Sequence, residues 1–169
     1  MRLREQQEII AKFQSEAPVS VVAIAHALGL KVYKTDSFTS NISGMIKKDD
    51  KQGGQSGFAI FVNASHSEVR RRFTIAHEIA HFILHEQMIG DGVVEDALLR
   101  AEGLTNGIER QANGMAADIL MPWHLINEYQ ERSSMSVEAL AALFEVSRDA
   151  MSYRILGISY EDAQASGRV

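Results

Sequence analysis

The chain has no cysteine, so neither disulfide staples nor thiolate metal sites are open to it. It has no run of about 18 apolar residues, which excludes a membrane-spanning helix. Its opening stretch, Met1-Arg2-Leu3-Arg4-Glu5-Gln6-Gln7, lacks the apolar core and small-residue cleavage site of a signal peptide. A cytoplasmic protein without membrane contact is therefore expected. Positive charge is also short. The formal net charge is -5 and the pI about 5.7, so no global pull toward nucleic acid exists. Arg70-Arg71-Arg72 is the one basic run, and on a helix its members fan around the axis, which predicts an ordinary solvated face.

What remains is a globular composition, 46% apolar and 23% charged, at a length of 169 residues that suits one core. Leu3 to Phe13 reads as a helix with Ile9, Ile10 and Phe13 on one side. Pro18 interrupts, and Ser20 can cap a second helix that Gly29 ends. Strand signals follow at Lys31 to Lys34, Ile42 to Lys47 and, most strongly, Phe58 to Val62. Short turns between them predict a small antiparallel three-stranded sheet. After Ser65 or Ser67 the pattern turns helical: one helix to about Met88, a short piece near Ala97 to Ala101, and one from Ile108 to Met121 stopped by Pro122. Val137 to Phe144 and Arg148 to Leu156 form a final helix-turn-helix-like pair. The expected class is α+β, a single domain over 1–169, with the sheet and metal helices at about 18–130 and the last pair at about 136–157.

His77-Glu78-Ile79-Ala80-His81 sets two imidazoles at i and i+4, one above the other on a helix face, which suits chelation of one ion. Glu78 lies to one side, placed to take a proton from an activated water as general base. Phe73, Ala76, Ala80 and Leu84 offer an apolar stripe that should turn this face inward. The plainer alternative is an amphipathic helix with two core or surface histidines. His85 continues the series, yet it lies ~12 Å along the axis from His77, too far to share an unbent helix's ion. It is expected to support the site and not to ligate.

A catalytic zinc uses three protein ligands and one open position. With cysteine missing, Glu109 is the preferred third ligand, since a carboxylate on the apolar face it shares with Ala112, Ala116, Ile119 or Leu120, and Trp123 needs a partner. The small residues Ala112, Gly114, Ala116 and Ala117 would let this helix pack close. The alternative for Glu109 is a capping-box role opposite an N-cap Asn106. Glu95, Asp96 and Glu102 are weaker rivals, and Asn113 can orient a ligand or bond to backbone.

Two stretches resemble the motifs of the ImmA/IrrE metallopeptidases. Arg71-Arg72-Phe73-Thr74-Ile75-Ala76-His77-Glu78-Ile79-Ala80-His81-Phe82-Ile83-Leu84-His85 is similar to the family's central motif. Glu109-Arg110-Gln111-Ala112-Asn113-Gly114-Met115-Ala116-Ala117-Asp118-Ile119-Leu120-Met121-Pro122 is similar to its second. The resemblance implies a gluzincin-like site: His77, His81 and Glu109 on zinc, and Glu78 as catalytic glutamate. Such a donor set also accepts manganese or other divalent ions. The resemblance further implies a protein substrate, because members typically cleave a helix-turn-helix repressor encoded beside them in mobile elements or stress regulons. Gly114 departs from the family, where a larger residue is common, and only a packing consequence is expected. Some radiation-resistance members carry a large extra C-terminal domain; stress sensing by such a domain is not expected here.

Several placements stay open at this level. A peptide substrate could pair with Phe58 to Val62 if that strand is an exposed edge, or the strand could be central and buried. His124, Tyr129 and Tyr153 are unranked candidates for an oxyanion donor. The final helical pair could read DNA, but its second helix offers only Arg148 and Arg154, among Glu145, Asp149, Glu161 and Asp162, which disfavours direct nucleic-acid binding. A metal-stabilised regulatory or antitoxin-like binding protein is the other rival, and an intact Glu78 argues against it.

Overall fold

In the computed structural model, hydroxyl caps fix where several helices begin. Ser67 Oγ accepts from Arg70 N at 3.3 Å, Ser136 Oγ from Ala139 N at 3.2 Å, and Ser147 Oγ from Ala150 N at 3.1 Å. Residues 3–89, 105–158, 162 and 165 are described. In order these form α1 (Leu3–Ala11), α2 (Val21–Ala27), β1 (Lys31–Thr35), β2 (Gly44–Lys48), β3 (Phe58–Asn63) and α3 (Glu68–His85). A 3-10 turn at Glu86–Met88 follows, then α4 (Thr105–Leu120), α5 (Trp123–Ser133), α6 (Val137–Phe144) and α7 (Arg148–Leu156). The class is α+β, as the sequence indicates. The short helix expected near Ala97 to Ala101 and the rival acids Glu95, Asp96 and Glu102 lie outside the described residues.

The sheet is mixed, not purely antiparallel. Its order is β1-β3-β2, with β2 antiparallel and β1 parallel to β3. Each connection reverses the chain, so β1 and β3 point the same way. Because β3 inserts between its two predecessors, it must meet β1 in parallel. This also settles the edge question: β3 is the central strand, and Phe58, Ala59, Ile60 and Val62 are buried. Asn63 ends it and ties down the β1–β2 connection, donating from Nδ2 to Thr39 O and Ile42 O, both at 2.9 Å.

Helix α3 lies on this sheet. Ile75, Ile79 and Phe82 face inward, and Phe82 meets Phe58 edge-on at 5.3 Å between ring centroids. Ile79 is fully buried and alone contributes roughly 2–3 kcal/mol. The predicted apolar stripe holds for Ala76 and Ala80, whereas Leu84 is exposed, one turn too far round the helix. Helix α4 crosses α3 closely through Ala112 and Ala116, both fully buried. Gly114 plays no part in that approach. It is exposed, and a Cβ there would meet open space. Trp123 does not extend the buried face of α4; it opens α5 with 43% of its surface exposed, under the guanidinium of Arg154 at 4.9 Å.

The basic run is a solvated face only at Arg70, which is exposed, whereas Arg71 and Arg72 are half-buried. Arg70 Nη2 donates to Ser43 Oγ at 2.9 Å, and Arg71 Nη1 donates to the carbonyls of Ala64 and His66. Arg72 is largely buried and donates to Val19 O at 2.9 Å, Phe144 O at 3.4 Å and Glu145 O at 3.3 Å, with Glu145 Oε2 at 3.4 Å. Glu145 adopts φ 52 at the turn between α6 and α7, where the sequence places the turn of its helix pair. The second helix of that pair is also committed inward. Arg154 bonds Asp118 at 2.7 Å and Met121 O at 3.0 Å, whereas Arg148 stays on the surface, paired with the exposed Glu138 at 2.7 Å.

Two glycines give opposite expectations. A Cβ on Gly44 would stand 2.5 Å from Thr74 Cγ2 and 2.7 Å from the Phe61 carbonyl oxygen. Gly44→Ala should therefore push β2 from α3 and lower stability by about 1–3 kcal/mol in thermal or urea melts. Gly114→Ala should raise stability by about 0.5–1 kcal/mol, because helix propensity improves and nothing is displaced. A Gly44→Ala protein as stable as wild type would show that the strand and helix are not in the contact described.

Candidate metal centre

The i, i+4 spacing on α3 stacks His77 and His81, with ring centroids 4.6 Å apart and Nε2 atoms 2.9 Å apart. Helix α4 brings Glu109 across them. Its Oε2 lies 3.2 Å from His77 Nε2 and its Oε1 3.3 Å from His81 Nε2. These three side chains form a group that could hold a metal ion. The fit can be tested against geometry. A tetrahedral ion with bonds of ~2.0 Å keeps neighbouring donors ~3.3 Å apart, close to the spacings seen. Two imidazoles and one carboxylate are also the donor number that leaves a coordination position open.

The capping-box alternative for Glu109 fails on register. Helix α4 starts at Thr105, so Asn106 is already helical and Glu109 lies a full turn inside. Its carboxylate is spent on the imidazoles. Asn113, one turn further, accepts a 2.9 Å bond at Oδ1 from His77 Nδ1 and so bears on a candidate ligand. His81 Nδ1 lies 3.1 Å from His85 Nδ1, and His85 Nε2 lies 3.0 Å from Gln111 Oε1. His85 is thus beside the site without joining it. Gln111 has no assigned role in the sequence reading, because an exposed helix glutamine carries no periodic signal.

Burial and charge oppose each other here. Burial disfavours the His77 imidazolium, yet the Glu109 hydrogen bond, the charges of Glu78 and Glu109, and Asn113 outweigh it, so the His77 pKa is raised. Burial likewise disfavours the Glu109 carboxylate, and its bonds to His77 and His81 more than compensate, holding its pKa well below the usual range. Glu78 is buried beside His77.

A sequence profile of the IrrE N-terminal-like domain, a peptidase family, matches residues 25–156. The chain belongs to this family. Its relatives include the radiation response metalloprotease IrrE of Deinococcus radiodurans, 33% identical over 137 residues covering 76% of this chain and 41% of that protein. The protein of the same name from Deinococcus deserti is 30% identical, covering 76% and 48%. This chain thus spans less than half the length of either. A transcriptional regulator of Mycobacterium tuberculosis shares the fold, with a TM-score of 0.63 at 16% identity over 90% of this chain and 45% of that one. Membership of the IrrE N-terminal-like family and the clustered donors together support a divalent metal.

Two of the oxyanion candidates have defined contacts away from the His77–His81–Glu109 group. His124 Nε2 donates to Gln14 O at 2.7 Å, and the Tyr129 ring packs edge-on against Phe144 at 5.9 Å. Among the described residues no helix is long and apolar enough to cross a membrane.

The pair predicts how the metal-free protein responds to pH. A raised His77 pKa gives stability that is complete below its ordinary 6.5 and fades as pH climbs through the folded value. A depressed Glu109 pKa gives stability present above its ordinary 4.5 and lost only as pH falls far below it. Chelated protein should therefore draw more stability from this pair at about pH 5.5 than at about pH 8. Glu109→Gln should flatten that difference in melting temperature. Identical pH profiles for the two proteins would refute it.

Proposed function

We propose that this protein is a zinc-dependent endopeptidase whose substrate is a helix-turn-helix transcriptional repressor encoded nearby, so that cleavage derepresses mobile-element or stress genes. The observation that carries the peptidase reading is the approach of Glu109 to within 3.2 and 3.3 Å of the two imidazole Nε2 atoms, next to the buried Glu78. The repressor is the substrate that the resemblance to the family suggests.

His77, His81 and Glu109 would hold the ion, which when bound supplies Lewis acidity to the scissile carbonyl and to a water. Glu78 is the general base. Its carboxylate accepts the proton as the water oxygen bonds to the carbonyl carbon, then returns that proton to the amine nitrogen as the C–N bond breaks. With β3 central, an extended substrate would pair with an outer edge of the sheet instead. The inward commitment of Arg154 leaves α7 poorly equipped to read DNA, so the helical pair serves better as part of the protein scaffold.

The test uses the full chain with the adjacent repressor. Wild type should cut at a defined bond, chelator should stop it, and added zinc should restore it. Glu78→Gln should keep the metal and lose more than about 100-fold in rate. Cleavage that persists through chelation and in Glu78→Gln would overturn the mechanism. Binding of the repressor without cleavage by the wild type would favour a regulatory partner.

A further inference from the structure

His85 is a buried histidine that the proposed chemistry does not use, and Gln111 is a polar residue on the neighbouring helix that touches it. We infer that Gln111 and His85 form a two-step hydrogen-bond relay that fixes the tautomer of His81 and so keeps its Nε2 free of a proton for a divalent metal. The inference rests on reading His77, His81 and Glu109 as the metal ligands.

The proton positions follow one from another. Gln111 Oε1 can only accept, so His85 Nε2, 3.0 Å away, carries hydrogen. A neutral imidazole has one N–H, which leaves His85 Nδ1 as an acceptor. His81 Nδ1, at 3.1 Å from it, must then be the donor. His81 Nε2 is left with its lone pair directed at the place where His77 Nε2 and Glu109 Oε1 converge, 2.9 and 3.3 Å away. His77 reaches the same state in one step through Asn113 Oδ1.

The two routes differ for a physical reason. His81 is the more buried ring, with 3% of its side chain exposed against 17% for His77. Backbone carbonyls along α3 are engaged within the helix, so a second imidazole one turn on provides its acceptor. That imidazole would be ambiguous alone, since either nitrogen can hold the proton. Gln111 removes the ambiguity. His85 and Gln111 are positioning residues, acting on metal affinity through His81.

Zinc affinity measured by competition with a chromophoric chelator tests this, with apo-protein melting curves to verify folding. His85→Phe should weaken zinc binding about 10- to 100-fold. Gln111→Leu, at an exposed position that leaves the core intact, should weaken it about 3- to 10-fold, because His85 can then populate the wrong tautomer. Gln111→Glu, which can only accept, should bind at least as tightly as wild type. Long-range proton–nitrogen NMR of the zinc-loaded wild type should show His85 protonated at Nε2 and His81 at Nδ1, and Gln111→Leu should mix the His85 forms. The inference is overturned if His85 is protonated at Nδ1, if Gln111→Glu fails to hold affinity, or if His85→Phe and Gln111→Leu match wild type while His81→Ala loses zinc. If instead wild type does not bind, or His81→Ala binds equally well, the metal-ligand reading itself fails and the relay with it.

Discussion

Everything in this structure is arranged around holding two imidazoles and a carboxylate against each other, away from bulk water. Each prefers solvation, and their nitrogen lone pairs repel when brought to 2.9 Å unless a proton or a cation stands between them. The protein meets this demand with helix packing: α3 supplies the imidazoles, α4 the carboxylate, and buried alanines at 112 and 116 let the helices approach closely enough. In the metal-free state the Glu109 carboxylate and the imidazoles favour each other's charged forms, which raises the His77 pKa and lowers that of Glu109. A divalent ion would relieve the repulsion.

The local parts of this arrangement were legible in the sequence. An i, i+4 pair of histidines with glutamate between them implies one helix face, and the structure stacks His77 and His81 there with Glu109 from a second helix against them. Glu109 was less certain, because an acidic residue near a helix start has two good uses. Only the placement of Asn106 inside the helix separates them. The order of the sheet could not be read, since strand signals do not say which strand inserts between the others. Helix α5 was missed because Pro122 reads as a stop. It is also a start: its φ of -64 suits a helix N-terminus, and the chain resumes at once as Trp123–Ser133.

The least legible feature was the use of charge. Three adjacent arginines look like solubility, and nothing local distinguishes a guanidinium in water from one seated on carbonyl groups. Arg71 finds its carbonyls nearby, at Ala64 and His66, but the partners of the other two lie far off in sequence: Ser43 for Arg70, Val19 and Phe144 for Arg72. Arg154 behaves alike, bonding Asp118 and Met121 at the end of α4. In a chain of net charge -5, Arg72 and Arg154 serve as fasteners between elements, each accepting its share of desolvation in exchange for several oxygen partners.

The arginine fan has a mechanical consequence. Successive residues project about 100° apart, so three in a row grip α3 from three directions and resist its turning about its own axis. Imidazole nitrogens sit about 6 Å from that axis. At this lever arm a roll of only about 2° shifts them by ~0.2 Å, the whole tolerance of a metal–ligand bond. A torsional stop built between one and two turns ahead of His77 would therefore help a slender helix to present its donors with the accuracy an ion demands.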